Sequence, residues 1–138
     1  MNIQLGMVVL DVRDLDASIE FYRRLGLDLP DPFPDRRVCL FRMASGVSIV
    51  LLEDFSAAND PTWRRPTTNS YQMLLEFVAD DETGVDERWF ALTGAGHHGR
   101  KAPGRDGGIY SALVDDPDGN VLMISADPSA RPDRDPPA

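Results

Sequence analysis

The chain has 138 residues, of which 42% are hydrophobic and 27% charged, so it is long enough for one globular domain with a modest core. Its formal net charge of −9 argues against nucleic-acid binding, which requires a basic face. The same charge would attract a cationic ligand, although it can also serve only solubility. No apolar stretch approaches the roughly 20 residues of a membrane-spanning helix. Met1–Gln4 lacks the features of a signal peptide, and the single cysteine excludes an internal disulfide. A cytoplasmic protein is expected.

The first half of the chain predicts a strand, a helix and a β-hairpin. Asp14 or Asp16 can cap the helix, whose apolar residues Leu15 and Ile19 recur at helical spacing. Gly26 is placed to end it in the left-handed conformation. A Pro/Asp-rich loop then leads to the hairpin. The predicted strands cover residues 5–12, 38–43 and 47–52.

The second half repeats this order. Asp80 or Asp81 can cap a helix that ends at Gly94, and a glycine-rich loop (94–108) follows. The hairpin turn Asp116-Pro117-Asp118-Gly119 has favourable chemistry, because Pro presets φ and Gly tolerates a positive φ. The predicted strands cover residues 71–78, 109–114 and 121–125. The sequence therefore predicts a single domain over residues 1–126, made of module one (3–55), a linker (56–69) and module two (70–126), and a disordered tail (127–138).

Pairing of the strands in each hairpin predicts a face of mixed polarity that points away from the helices. The predicted pairs are Phe41 with Ser48, Cys39 with Val50 and Arg37 with Leu52 in the first hairpin, and Val114 with Val121, Ala112 with Met123 and Tyr110 with Ser125 in the second. The opposite face is almost purely apolar and is expected to lie against the helices: Val38, Leu40, Ile49, Leu51, Leu113, Leu122 and Ile124. A mixed face is typical of a ligand cavity, although a half-solvated sheet face has the same pattern.

Two segments resemble motifs of the glyoxalase, bleomycin-resistance and extradiol dioxygenase proteins, the vicinal oxygen chelate superfamily. They are residues 12–22, followed by Leu25-Gly26-Leu27, and residues 115–122. The similarity covers roughly residues 3–126, and both motifs are structural, so they indicate the fold more specifically than the function. The resemblance implies an α+β fold of two βαβββ modules, each a curved half-barrel. It also implies a cleft that is completed by pairing of two chains in a homodimer.

The resemblance further implies positions for a divalent metal, which enzymes of the group hold through His, Gln or Glu. In this chain those positions fall at Met7, Val50 and Met123 and, on the strand that begins at Tyr71, at Leu74, or at Gln72 if the register of that strand is off by two residues. Hydrocarbon side chains cannot bind such an ion, and thioether sulfur favours soft Cu(I). The methionines can instead fill an apolar cleft floor. Neither a metal nor another cofactor is therefore expected.

Two further candidates have weaker support. His97 and His98 are neighbours in the glycine-rich loop, and neighbouring side chains of an extended chain point apart, so an ordinary loop role is favoured over metal binding. Glu76 shares a strand face with Leu74 and Gln72 and could face a cationic ligand. As a general base it would need a partner that the sequence does not identify.

These patterns predict a metal-free protein of the bleomycin-resistance type that sequesters a hydrophobic or aromatic natural product without chemical change. The alternatives are a metal-dependent glyoxalase- or dioxygenase-type lyase or isomerase, and a metal-free accessory enzyme of natural-product biosynthesis. Phe41 and Tyr110 are expected to be aromatic walls, with Phe33 and Trp63 at the rim. The predicted ligand-binding set is Met7, Val9, Phe33, Cys39, Phe41, Ser48, Val50, Trp63, Gln72, Leu74, Glu76, Tyr110, Ala112 and Met123.

Overall fold

The computed structural model describes residues 2–67 and 70–126. The chain divides into two compact units, residues 1–68 and residues 69–138. The tail that was predicted to be disordered lies outside the described residues. Within the described part of the chain, no helix is long and apolar enough to cross a membrane.

The first unit contains three strands and two helices among its described residues. They are β1 (Met7–Asp11), α1 (Leu15–Leu25), β2 (Val38–Arg42), β3 (Ser48–Leu52) and α2 (Phe55–Asn59). The sheet order is β1-β3-β2, with β1 parallel and β2 antiparallel to β3. Helix α1 packs on β2 and β3. The sheet residues beneath it, Cys39, Ile49 and Leu51, are buried.

Helix α1 begins and ends where the sequence predicts. The Asp14 side chain, not that of Asp16, caps it by accepting a hydrogen bond from the Ala17 backbone N–H at 3.2 Å. Gly26 has φ 121° and donates to the carbonyl oxygens of Tyr22 and Arg23. The apolar residues at helical spacing, Leu15, Ile19 and Tyr22, are buried. The cap and the apolar face together explain why this segment is helical.

The segment predicted to be a linker contains α2 and is attached to the end of β1. The Asp11 carboxylate accepts hydrogen bonds from the Ser56 backbone N–H at 2.6 Å and from Arg65 Nη2 at 3.1 Å. The Arg65 guanidinium also lies 5.0 Å from the centroid of the Trp63 ring. Residues 55–65 therefore belong structurally to the first unit.

The second unit has the order strand, helix, strand, strand, strand. Its elements are β4 (Leu74–Val78), α3 (Glu82–Gly94), β5 (Gly99–Asp106), β6 (Ile109–Asp115) and β7 (Val121–Ser125). The sheet order is β4-β7-β6-β5, and only the β4–β7 pair is parallel among the described strands. Helix α3 packs on β5, β6 and β7.

Helix α3 is capped by Asp81, whose carboxylate accepts a hydrogen bond from the Gly84 N–H at 2.8 Å. The helix ends at Gly94 as predicted, but the left-handed residue that follows is Gly96, with φ 96°. The predicted glycine-rich loop is wrong over residues 99–106, which form β5. Gly99 lacks a side chain where the ring of Trp89 on α3 meets the strand: a Cβ there would lie 2.8 Å from two ring carbons.

The predicted α+β class and βαβββ architecture are confirmed. The second unit is a complete βαβββ module. In the first unit, the described residues form βαββ, because the segment between α1 and β2 contains Pro30, Pro32 and Pro34. Proline has no N–H to donate to a strand ladder, so this segment does not pair as a further strand.

Candidate functional site: the open faces of the two sheets

Each sheet has one face covered by its own unit's helix and one face that the helix does not cover, which we call the open face. In the first unit the register arranges the open face in three rows across the strands. The rows are Met7, Ser48 and Arg42; Val9, Val50 and Leu40; and Asp11, Leu52 and Val38. The middle row is entirely apolar, and charged residues occupy two opposite corners.

The register predicted for the first hairpin is wrong by one residue. Phe41 lies opposite Ile49, and Arg42 lies opposite Ser48. The cause is a three-residue loop: Met43 pairs with Val47 through an N–H to carbonyl hydrogen bond of 3.0 Å, and Gly46 has φ 94°. A shift of one residue exchanges the two faces of a strand.

Cys39 and Phe41 therefore lie on the helix side, not on the open face as predicted, and Val38 and Leu40 replace them there. Cys39 is 1% exposed, its Sγ lies 3.4 Å from the Pro30 carbonyl oxygen, and burial raises the pKa of its thiol. It is a core residue.

The second hairpin shows the same displacement for the same reason. Asp116 pairs with Asn120, leaving a three-residue loop in which Gly119 has φ 86°, so Leu113, not Ala112, lies opposite Met123. The predicted placement of Ala112 and Tyr110 on the open face is wrong.

Ala112 is fully buried, whereas Tyr110 points to α3. The Tyr110 hydroxyl donates to the Asp86 carboxylate at 2.6 Å. This hydrogen bond, followed by desolvation, raises the pKa of Tyr110, because the neighbouring carboxylate stabilises the protonated phenol. Tyr110 holds α3 on the sheet and is not a wall of the open face.

The open face of the second unit is more polar than that of the first. Its rows across β4, β7 and β6 are Leu74, Val121 and Asp115; Glu76, Met123 and Leu113; and Val78, Ser125 and Ser111. The Ser125 hydroxyl, which is fully buried, donates to Glu76 Oε2 at 2.9 Å. Glu76 itself is exposed, as are Leu74 and Val78 on either side of it.

Large apolar side chains remain exposed on both open faces. The exposed fractions are 49% for Met7, 40% for Val9, 44% for Leu40 and 39% for Leu74. Val50, between Val9 and Leu40 on the first open face, is buried, and Met123, on the second open face, is half-buried. Contiguous exposed apolar side chains rimmed by polar groups are typical of binding surfaces.

The remaining predicted site residues lie outside the strands. Phe33 is exposed in the proline-rich segment, with the Arg36 guanidinium 4.8 Å from its ring centroid. Trp63 is half-buried beside Arg65, and Gln72 is exposed just before β4. Arg65 connects Trp63 to Asp11, a corner of the first open face. Leu40 and Arg42 are on the open face but were absent from the predicted set: the predicted register placed Leu40 on the helix side, and Arg42 was assigned to neither face.

The registers place the four positions that the resemblance implies for a metal. In the first unit, Met7 is the first residue of β1, and Val50 is the third residue of β3, which pairs with β1 in parallel. In the second unit, Leu74 is the first residue of β4, and Met123 is the third residue of β7, which pairs with β4 in parallel. Leu74, not Gln72, is therefore equivalent to Met7. The side chains are two thioethers and two hydrocarbons, which do not fit a divalent ion.

Other potential metal ligands are not gathered elsewhere. Across residues 2–67 and 70–126, no group of three or more His, Cys, Asp or Glu side chains is arranged to hold a metal ion. The His97 backbone N–H donates to the Leu92 carbonyl oxygen at the end of α3, and His98 is an exposed loop residue. These positions fit the predicted loop role.

A concavity of about 480 Å³ lies along α1 and the proline-rich segment, away from the open faces. Its charged lining residues have partners: Arg23 pairs with Asp31 and Arg24 with Glu20, both at 3.0 Å, and Asp16 pairs with Arg37 at 3.6 Å. Since these pairs are exposed and mutually satisfied, we do not place the functional site there.

The two units, each with one sheet face covered by a helix and an open face that carries exposed apolar side chains, define an α+β protein of two related modules. The chain belongs to the Glyoxalase/Bleomycin resistance protein/Dioxygenase superfamily, whose model matches residues 4–124. None of the curated proteins matches the chain.

Solved structures agree with this fold. A hypothetical protein from S. aureus has 21% identity and a TM-score of 0.75, with 91% of this chain and 94% of that chain covered. A glyoxalase-related enzyme from Fulvimarina pelagi has 23% identity and a TM-score of 0.74, covering 91% and 88%. A lactoylglutathione lyase from Agrobacterium tumefaciens has 26% identity and a TM-score of 0.61, covering 89% and 92%.

Proposed function

We propose that the protein binds a hydrophobic or aromatic natural product on its open sheet faces and sequesters it without chemical change, as bleomycin-resistance proteins of this superfamily do. The observation that supports this most strongly is the apolar middle row of the first open face, where Val9 and Leu40 are exposed on either side of Val50. Such a row offers apolar contact area while its polar groups stand at the ends.

The energetics favour an apolar ligand. Removing apolar surface from water stabilises a complex by about 25 cal/mol per Å², before the costs of association are subtracted. The exposed thioether of Met7 adapts its shape to different ligands because it is flexible and polarisable. Since Phe41 and Tyr110 lie on the helix side, aliphatic side chains and not aromatic walls would make these contacts. Ser48 and Glu76 would orient the ligand.

The competing function is that of a metal-dependent lyase, isomerase or dioxygenase. It is favoured by the similarity to the lactoylglutathione lyase from Agrobacterium tumefaciens. The side chains at Met7, Val50, Leu74 and Met123 argue against it, because none of them is a donor for a hard or borderline divalent ion. We therefore favour binding without catalysis.

The ligand-binding proposal predicts a clear difference between two matched substitutions. Compounds are first selected from polyketide and peptide antibiotics by thermal shift and then titrated by calorimetry. Leu40→Asp should weaken binding by about tenfold or more, because it places a carboxylate in the apolar row. Phe90→Asp, on α3 and outside both open faces, is the control with the same charge change and should leave the affinity unchanged.

Mass spectrometry of the ligand after incubation tests the absence of chemistry. The ligand should be recovered unmodified and in the amount added. Equal affinities of Leu40→Asp and Phe90→Asp would contradict the assignment of the ligand to the first open face. A product formed at catalytic turnover would show that the protein is an enzyme.

We also propose that the protein is a homodimer. Strands β1 and β4 stand at the edges of their sheets, and the residues that lead into β1, Ile3 and Leu5, are exposed apolar side chains. Exposed apolar edges are usually covered in the functional state. Sedimentation at micromolar concentration should therefore give twice the mass of the chain, and Leu5→Asp should shift the equilibrium toward monomer. A wild-type monomer at that concentration would contradict the proposal.

A further inference from the structure

Arg42 differs from the other basic residues around the first sheet. Within residues 2–67 and 70–126, its guanidinium forms no hydrogen bond and no ion pair with a carboxylate. Five other arginines of the same unit do pair with carboxylates: Arg23 with Asp31, Arg24 with Glu20, Arg36 with Asp35, Arg37 with Glu53 and Arg65 with Asp11. Arg42 is an exposed residue, so its charge is available to a ligand.

The position of Arg42 places this charge at one corner of the open face. Arg42 lies opposite Ser48, which lies beside Met7 in the same row. One guanidinium nitrogen, Nη2, is 3.9 Å from the point where a Cβ on Gly46 would stand, so the group lies beside the hairpin loop. Arg42 and Ser48 thus bring guanidinium and hydroxyl donors to the end of the face.

The opposite corner does not offset this charge. Asp11 is already neutralised by Arg65 and also accepts the Ser56 N–H. The middle row of Val9, Val50 and Leu40 is apolar. Although the whole chain carries a net charge of −9, the open face of the first unit therefore presents one unmatched charge, and it is positive.

We infer that the ligand of the first open face is an amphipathic carboxylate, and this inference rests on the proposed binding function. Its apolar body lies on the Val9–Val50–Leu40 row, and its carboxylate lies between the Arg42 guanidinium and the Ser48 hydroxyl. The planar guanidinium matches the two oxygens of a carboxylate, and such charge-assisted hydrogen bonds are stronger than neutral ones.

Sheet geometry gives the size of this ligand. Adjacent strands are about 4.8 Å apart and residues two apart on one strand are about 6.7 Å apart. The apolar body therefore spans about 10 Å across three strands, and the carboxylate lies about 7 Å from the middle of that row. A fused aromatic or alicyclic acid has these dimensions.

The test uses three probes that share one ring system: naphthoate, naphthamide and naphthylmethylammonium. Each is titrated by calorimetry into the wild-type chain, Arg42→Gln and Arg88→Gln. Arg88 is an exposed arginine of α3, so its replacement changes the net charge equally but leaves the open face intact. Circular dichroism establishes that both variants are folded.

Naphthoate should bind the wild type at least about tenfold more tightly than naphthamide does. Arg42→Gln should remove that advantage while leaving the affinity for naphthamide unchanged, and Arg88→Gln should preserve it. If naphthoate and naphthamide bind equally, or if Arg42→Gln keeps the advantage, the inference is overturned while the binding function stands.

Preferential binding of naphthylmethylammonium would show that a carboxylate of the protein, and not Arg42, anchors the ligand, and would also overturn the inference. If none of the three probes binds and the antibiotic panel gives no ligand either, the proposed function fails together with the inference.

Discussion

Replacing Asp116 by alanine is expected to lower the free energy of unfolding by about 3 kcal/mol. The Asp116 carboxylate is buried and accepts three hydrogen bonds: from the Asp118 and Asn120 backbone N–H groups at 2.9 Å each and from Asn120 Nδ2 at 2.8 Å. Alanine removes both acceptor oxygens, so these three hydrogen bonds, which hold the loop together, are lost. This loop fixes the register of β6 and β7.

Chemical denaturation followed by circular dichroism measures this effect. Asp116→Asn, which keeps one carbonyl oxygen, should lose less stability than Asp116→Ala. Asp28→Ala removes an exposed carboxylate and should change the free energy of unfolding by less than about 0.5 kcal/mol. If Asp116→Ala and Asp28→Ala have equal effects, the carboxylate does not hold the turn as we describe.

Replacing Gly99 by alanine is expected to lower the free energy of unfolding by about 2–3 kcal/mol. The new Cβ would stand 2.8 Å from Cζ2 and Cζ3 of Trp89, a distance that requires the indole or the strand to move. Because α3 packs on β5 along this contact, the helix and the sheet must separate slightly. Gly94→Ala is the matched control: a Cβ there meets nothing within 4 Å, so alanine should stabilise the helix end by up to about 0.5–1 kcal/mol.

A double-mutant cycle separates the clash from other effects of the substitution. In a Trp89→Leu background, Gly99→Ala should cost at least about 1 kcal/mol less than in the wild type, because the indole is absent. Equal costs in the two backgrounds would show that the ring does not limit the space at Gly99.

The sequence was most informative where the signal is local. Asp14, Asp81 and Gly26 are residue types with a strong preference for helix ends, and each lies where the structure begins or ends a helix. The turn at Asp116 was also predictable, because Pro117 and Gly119 have backbone preferences that few other residues share. These preferences act within a few residues and need no tertiary contacts.

The faces of the strands were less predictable, because they depend on the length of each hairpin loop. Both loops have three residues and end in a left-handed glycine, Gly46 or Gly119, whereas both predicted pairings required a loop with an even number of residues. Each error of one residue exchanged the two faces of the strand that precedes the loop, β2 or β6. For that reason Phe41 and Tyr110 were assigned to the wrong face, while Met7, Leu74 and Met123, whose strands pair in parallel, lie on the open faces.

Strand β5 was missed for a different reason. Gly99 and Gly104 are typical of loops, and nothing local indicates that Gly99 instead makes room for Trp89. The predicted rim residues Phe33 and Trp63 also depend on tertiary contacts, since each lies beside an arginine in a segment without strand pairing. Their roles in ligand binding remain predictions.

The proposed function depends on one chemical property of the site: the positions that the resemblance implies for a metal carry Met7, Val50, Leu74 and Met123. Both units lack metal-binding side chains at equivalent positions, because Met7 corresponds to Leu74 and Val50 corresponds to Met123. Neither a hydrocarbon nor a pair of isolated thioethers retains Zn²⁺, Ni²⁺, Mn²⁺ or Fe²⁺ against dialysis. This property supports the proposal of binding without metal chemistry.

Elemental analysis tests this claim most directly. The chain, without a polyhistidine tag, is loaded separately with zinc, nickel, manganese and iron, dialysed against metal-free buffer and analysed for metal per chain. We predict well under one equivalent of each metal, with no change in the thermal unfolding midpoint on loading. One equivalent of any of these metals, firmly held after dialysis, would contradict the account and favour the metal-dependent enzyme.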